Sequence, residues 1–92
     1  MQCLPWEDLD LLIHEYTHSV AGQGRVFRAQ AFGRERPDGT WTGWLEFEPE
    51  DEPGRRLRTG EETSQPNLTA VEYWAGGLEP VYLEGALERA AP

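Results

Sequence analysis

The sequence predicts an α+β fold, a three- to four-stranded antiparallel β-meander packed against one main helix plus a short C-terminal helix. Three observations carry that prediction. Residues 25–48 alternate apolar and polar around Pro37-Asp38-Gly39. Residues 66–76 carry an apolar stripe at helical spacing, behind a Pro and ahead of a Gly pair. A glycine turn at Gly22-Gln23 offers one more strand before the hairpin.

The hairpin is the best-specified element. Pro37 fixes φ at the first turn position, Asp38 tolerates the second, and Gly39 supplies the positive φ that closes a three-residue loop. With Arg36 facing Thr40, Gly33 faces Gly43, Ala31 faces Leu45 and Ala29 faces Phe47. Phe27, Trp41, Leu45 and Phe47 then share an apolar face. The other face pairs Arg28 with Glu48 and Phe32 with Trp44. A slip of one residue would mix the faces, so the register is fixed.

The stretch before the hairpin, residues 11–20, reads two ways. As a helix, Leu9, Leu12, Ile13, Tyr16 and Val20 form an amphipathic stripe. As a strand closed by Ala21 against Gly24, it sets Tyr16 opposite Ala29, His18 opposite Phe27 and Ile13 opposite Phe32. That register agrees with the hairpin about which face is buried, and such agreement favours the extended reading.

After the hairpin, Pro49 to Gly54 form an acidic loop, followed by Arg55, Arg56 and Arg58. Leu57 and Thr59 suggest a short strand. Glu61 to Ser64 read as capping and dipole residues for a helix from Pro66 to Gly76. Pro80 to Ala91 read as a second short helix with Val81, Leu83 and Leu87 available for packing, or as a strand at Val81-Tyr82-Leu83. The organisation expected is one domain over residues 1–92, with an irregular lead-in at 1–10, sheet at 11–62 and helices at 66–90. The expected core is Phe27, Trp41, Leu45, Phe47, Leu68, Val71, Trp74 and Leu78.

Ninety-two residues suffice for a single core without staples. The single Cys3 forms no internal disulfide, which fits a reducing compartment. The first ten residues have no basic, then apolar, leader pattern, and no apolar run reaches a membrane span. A soluble, cytoplasmic protein with no membrane partner is therefore expected. Net charge is −9, from 17 acids against 8 bases, and the bases are all Arg. That balance argues against direct contact with a nucleic-acid backbone and suits a protein partner of basic character. A homo-oligomer is equally compatible with it.

Two candidate sites stand out. His14-Glu15-Tyr16-Thr17-His18 matches H-E-x-x-H, which on a helix brings two imidazoles to one zinc ion with Glu15 as general base. The resemblance to zinc metallopeptidases covers these five residues alone. Ala21 and Gly24 stand where the extended pattern has Gly and His, and Glu61, Glu62, Glu72 or Cys3 could be nominated as third ligand without a spacing to choose among them. On a strand, His14 and His18 would stand about 13 Å apart, too far to share an ion. The second candidate is an apolar ladder of Ile13, Phe32 and Trp44 on the outer sheet face, with Glu48 and Asp51 in the acidic stretch beside it. The lead-in around Leu4 and Trp6, or the C-terminal segment, could instead cover that ladder. The acidic run lacks the ligand spacing of a calcium loop, and solvated charge with Arg55, Arg56 and Arg58 as local counter-ions explains it more simply.

Asp38-Gly39, Trp41, Leu45, Phe47, Pro49, Pro53-Gly54, Thr59-Gly60, Thr63 and Ala70 give an order that resembles the HicB-type antitoxin domain over residues 25–78. The likeness implies a small sheet backed by a helix that binds a basic RNA-cleaving toxin. The chain departs from that pattern in its extra N-terminal strand, its longer acidic loop and the lack of an appended DNA-binding segment. The function expected is a non-enzymatic interaction or regulatory module without cofactor, with a zinc-dependent hydrolase as the competing class.

Overall fold

The computed structural model describes residues 10–92. The chain runs β1 (Leu11–Glu15), β2 (Val20–Gly22), β3 (Arg25–Glu35), β4 (Trp41–Pro49), β5 (Leu57–Arg58), β6 (Thr63–Gln65), α1 (Leu68–Gly76) and α2 (Pro80–Arg89). All six strands belong to one antiparallel sheet. β3 and β4 are its long central pair. The short strands β1 and β2 both pair with β3 on one side, while β5 and β6 both pair with β4 on the other. Four strand positions are therefore filled by six strands, because each edge is broken in two.

The central hairpin pairs as its sequence dictates. Arg28 stands opposite Glu48, Ala29 opposite Phe47, Ala31 opposite Leu45, Phe32 opposite Trp44 and Gly33 opposite Gly43. Its turn is closed by Arg36 N donating to Thr40 O at 2.7 Å, with Gly39 at φ 89°. Asp38 accepts from Thr40 N and Oγ1, and these bonds hold its carboxyl below the usual carboxylate range.

The first hairpin is extended as expected but shifted. Val20, rather than His18, pairs with Phe27, and the turn centres on Gln23-Gly24 with φ values of 55° and 72°. Two glycines flank Gln23, so either can supply the positive φ. The register that seats apolar Val20 in the core wins. β1 nevertheless keeps Glu15 opposite Gln30, so the extra residues are taken up in the bend between Glu15 and Val20. A second irregularity, a bulge at Ile13, sets Leu12 opposite Phe32.

α1 begins where Asn67 Oδ1 accepts from Ala70 N at 2.8 Å, so Asn67 caps it. Thr63 and Ser64, read above as capping residues, instead pair with Gly43 and Thr42. Both helices lie on one face of the sheet, α1 over β1, β3, β4 and β6, and α2 over β2. Gly43 is required there: a Cβ would stand 2.9 Å from Thr63 Cγ2 and 3.2 Å from Trp74 Cζ3.

The core between sheet and helices contains Val20, Phe27, Ala29, Ala31, Leu45 and Phe47 from the strands and Tyr16 from just past the end of β1. Ala75, Leu83, Ala86 and Leu87 complete it from the helices. α2 contributes more than expected, whereas Trp41 and Leu68 are only half-buried and Val81 is exposed. No helix of the described residues is long and apolar enough to cross a membrane.

Candidate functional site

Alternation along β3 and β4 sends Ala29, Ala31, Leu45 and Phe47 under the helices. Arg28, Gln30, Phe32, Arg34, Thr42, Trp44, Glu46 and Glu48 therefore occupy the opposite face. No helix of the described chain packs there. At its centre Phe32 and Trp44 stack at 6.3 Å with planes 17° apart. Three guanidinium groups lie on this pair: Arg58 at 4.1 Å and Arg34 at 5.9 Å from the Trp44 ring centre, and Arg56 at 5.9 Å from Phe32. These are cation–π distances. Trp44 retains 3% of its exposure, and its Nε1 donates to Glu46 Oε2 at 2.9 Å.

Leu12 takes the place in this ladder that the sequence assigned to Ile13. Leu12 is opposite Phe32 and 46% exposed, whereas the bulge turns Ile13 inward to pack on the core beside Gly33. Phe32 and Trp44 are brought together as expected. Glu48 stands on the same face but is engaged, accepting from Gly54 N at 2.6 Å and lying 4.0 Å from Arg56.

Asp51 sits apart, in a loop whose acids are tied internally. Arg25 donates to Asp51 at 3.0 Å and to Glu52 at 2.8 Å; Arg55 reaches Glu52 at 3.3 Å, Arg56 reaches Glu46 at 3.0 Å, and Ser19 donates to Glu50 at 2.7 Å. The Arg25 hydrogen bond, supported by Arg55, holds the Glu52 carboxyl below its ordinary range. Three arginines thus pair with four of the five acids of the run 46–52, while Glu50 has only the neutral Ser19 hydroxyl among the described residues. Further acid without an ion pair lies on the helical side. Glu72, Glu79, Glu84 and Glu88 on the helical side are exposed and join none of the ion pairs among the described residues.

The H-E-x-x-H residues do not form a helix. His14 and Glu15 end β1, and Thr17 and His18 lie in a bend. Glu15 accepts from Gln30 Nε2 at 2.9 Å on the open side, while His14 stands opposite inward-facing Ala31. Nucleophile-activating base and first imidazole therefore point to opposite faces of the sheet. Tyr16, midway between the two histidines in sequence, is the residue the fold uses. Its ring lies 4.5 Å from that of His14 and 6.4 Å from that of His18, and its hydroxyl donates to Ala75 O at 2.6 Å. Ala75 belongs to the last turn of α1, where its carbonyl accepts a long bond from Leu78 N, at 3.4 Å, besides that from the Tyr16 hydroxyl. Burial pushes the Tyr16 hydroxyl well above the ordinary tyrosine range. Among the described residues, no group of three or more His, Cys, Asp or Glu side chains converges as metal ligands would. The nominated Cys3, with Leu4 and Trp6 of the lead-in, lies outside the described residues.

Leu12, Arg34 and Arg58 are the open-face residues that the sequence reading passed over. Arg34 had a signal: it falls on the Arg28–Phe32 side of a strict alternation. Arg58 had none, because only the pairing of β5 with Glu46 brings it to this face. Comparison with family models, with curated proteins and with solved structures finds no match to this chain.

Proposed function

We propose that this chain is a non-enzymatic protein-interaction module that engages its partner through the open face of the sheet. One observation carries the reading: a face without a covering helix in the described chain holds a Phe32–Trp44 stack under three arginines, with half-exposed Leu12 beside it. Aromatic and Arg side chains are the residues enriched where interfaces concentrate their binding energy. The sheet edges offer less. β1 is interrupted by a bulge, and β2, β5 and β6 are two or three residues long, so strand addition has little continuous edge to extend.

A second reading is regulation of a basic partner, in the manner of the antitoxin-like domain that residues 25–78 resemble. The carboxylates of Glu72, Glu79, Glu84 and Glu88, exposed and in no ion pair among the described residues, favour it, and they favour contact on the helical side over contact at loop 46–52.

Capture of partners on the immobilised chain separates the two. Leu12→Glu alters an exposed position, so the variant keeps its fold, and it is expected to weaken capture by at least about tenfold. A Glu72→Gln/Glu84→Gln variant is expected to capture as the parent does. Loss with the second variant alone would transfer the function to the helical side, and the absence of any specifically captured protein contradicts both readings.

A further inference from the structure

Resting on the open face as the binding surface, we propose that its ligand is an acidic segment of a protein partner, with carboxylates seated on Arg58 and Arg28. The face already displays the chemistry once. Arg34 donates through Nε and Nη2 to a single carboxylate oxygen of Asp10, beside the aromatic stack. Arg58 offers an equivalent group on the other flank of Trp44. Its guanidinium lies 4.1 Å from the indole centre, is exposed, and has no carboxylate partner among the described residues. Between the two arginines is a hollow of about 200 Å³, lined also by Thr42, Trp44, Thr59, Gly60 and Glu61, whose carboxylate is paired with Arg36. Arg28 repeats the pattern two rows away: it is exposed, opposite Glu48, and likewise without an ion pair among the described residues.

The backbone of Arg58 is tied on both sides, by the ladder to Glu46 and by its N–H donating to Ala91 O at 2.8 Å and its carbonyl accepting from Ala91 N at 3.0 Å. A guanidinium held against an indole has lost much of its rotamer freedom before binding, which lowers the entropic cost of receiving a carboxylate. The net charge of −9 does not forbid an acidic ligand. The uncompensated acids of α1 and α2 lie across the core, and fields between exposed charges fade within about 8 Å at physiological ionic strength.

Single-stranded nucleic acid is the anionic alternative, and the geometry disfavours it. Bases bind such faces by stacking on open rings, but Trp44 is 3% exposed beneath Arg58.

The test is fluorescence anisotropy of a dye-labelled oligo-glutamate peptide titrated with the whole chain, at low and at physiological salt. Saturable binding is expected, weakened about tenfold by Arg58→Gln and less by Arg28→Gln. Arg55→Gln, which touches only the loop acids, leaves it unchanged. Circular dichroism of each variant confirms the fold. No saturable binding by the parent, equal binding by Arg58→Gln, or tighter binding of an oligothymidylate than of the peptide each overturns the proposal. A protein partner lost with Leu12→Glu but indifferent to Arg58→Gln would also overturn it, while leaving the open face as the docking surface.

Discussion

Replacing Phe47 by Ala is expected to lower the free energy of unfolding by about 4 kcal/mol, the cost of a lost aromatic plus an unfilled cavity. Phe47 has no exposed surface and belongs to the cluster that joins both layers, with Phe27 and Leu45 on the sheet and Leu83 and Leu87 on α2. Its cross-strand partners are Ala29 on β3 and Leu57 on β5, and the surrounding side chains are fixed in the same close-packed cluster, so the space is refilled only in part. A loss of that size is a large share of the roughly 5–15 kcal/mol that stabilises a small domain. Urea denaturation measures it as a lower midpoint at constant slope. Phe32→Ala, on the open face and half-buried, is expected to cost about 1 kcal/mol. Equal losses at the two positions would mean that the helices do not distinguish the faces.

Tyr16→Phe is the second informative change. It removes the hydroxyl that donates to Ala75 O at 2.6 Å and leaves that carbonyl with the longer bond from Leu78 N at 3.4 Å, at a cost of about 1 kcal/mol near neutral pH. The pH dependence identifies the cause. Burial raises the Tyr16 pKa in the folded chain, so the unfolded chain loses this proton first as pH rises. The stabilisation is complete below the unfolded value, near pH 10, and is lost progressively above it. The parent is therefore expected to destabilise steeply above about pH 10, and Tyr16→Phe to flatten that decline. The remaining slope belongs partly to Tyr82, raised by burial and by its hydrogen bond to Glu62. Parallel curves for parent and variant between pH 9 and 11.5 would contradict this role.

The sequence made legible whatever was decided by local chemistry. The hairpin from Arg25 to Pro49 could be paired residue by residue because its turn and its alternation are both short-range signals. The helix over 68–76 carried its own stripe and stop. Decisions made by competition or at long range were hidden. Gly22 and Gly24 left two turns available for the first hairpin, and only the better fit of Val20 over His18 in the core selects one. Thr63-Ser64-Gln65 carries cap-like residues, yet β4 recruits them to complete its edge. Arg55 and Arg56 were legible as counter-ions of the acidic run 46–52 from their nearness in sequence, but Arg25 joins them only through the fold, and Arg58, equally near, lies instead on Trp44. Within the candidate site, Phe32 and Trp44 were visible because they face each other across two adjacent strands. Arg58 was invisible because its strand is two residues long and its place depends on a chain reversal through the acidic loop.

The most direct measurement is a map of amide and indole chemical-shift changes as oligo-glutamate is added to isotopically labelled protein. Changes concentrated at Leu12, Phe32, Arg34, the Trp44 indole and Arg58, with Glu72, Tyr73 and Glu84 unmoved, are what the open-face account predicts. Changes concentrated on α1 and α2, with the Trp44 indole unmoved, would contradict it.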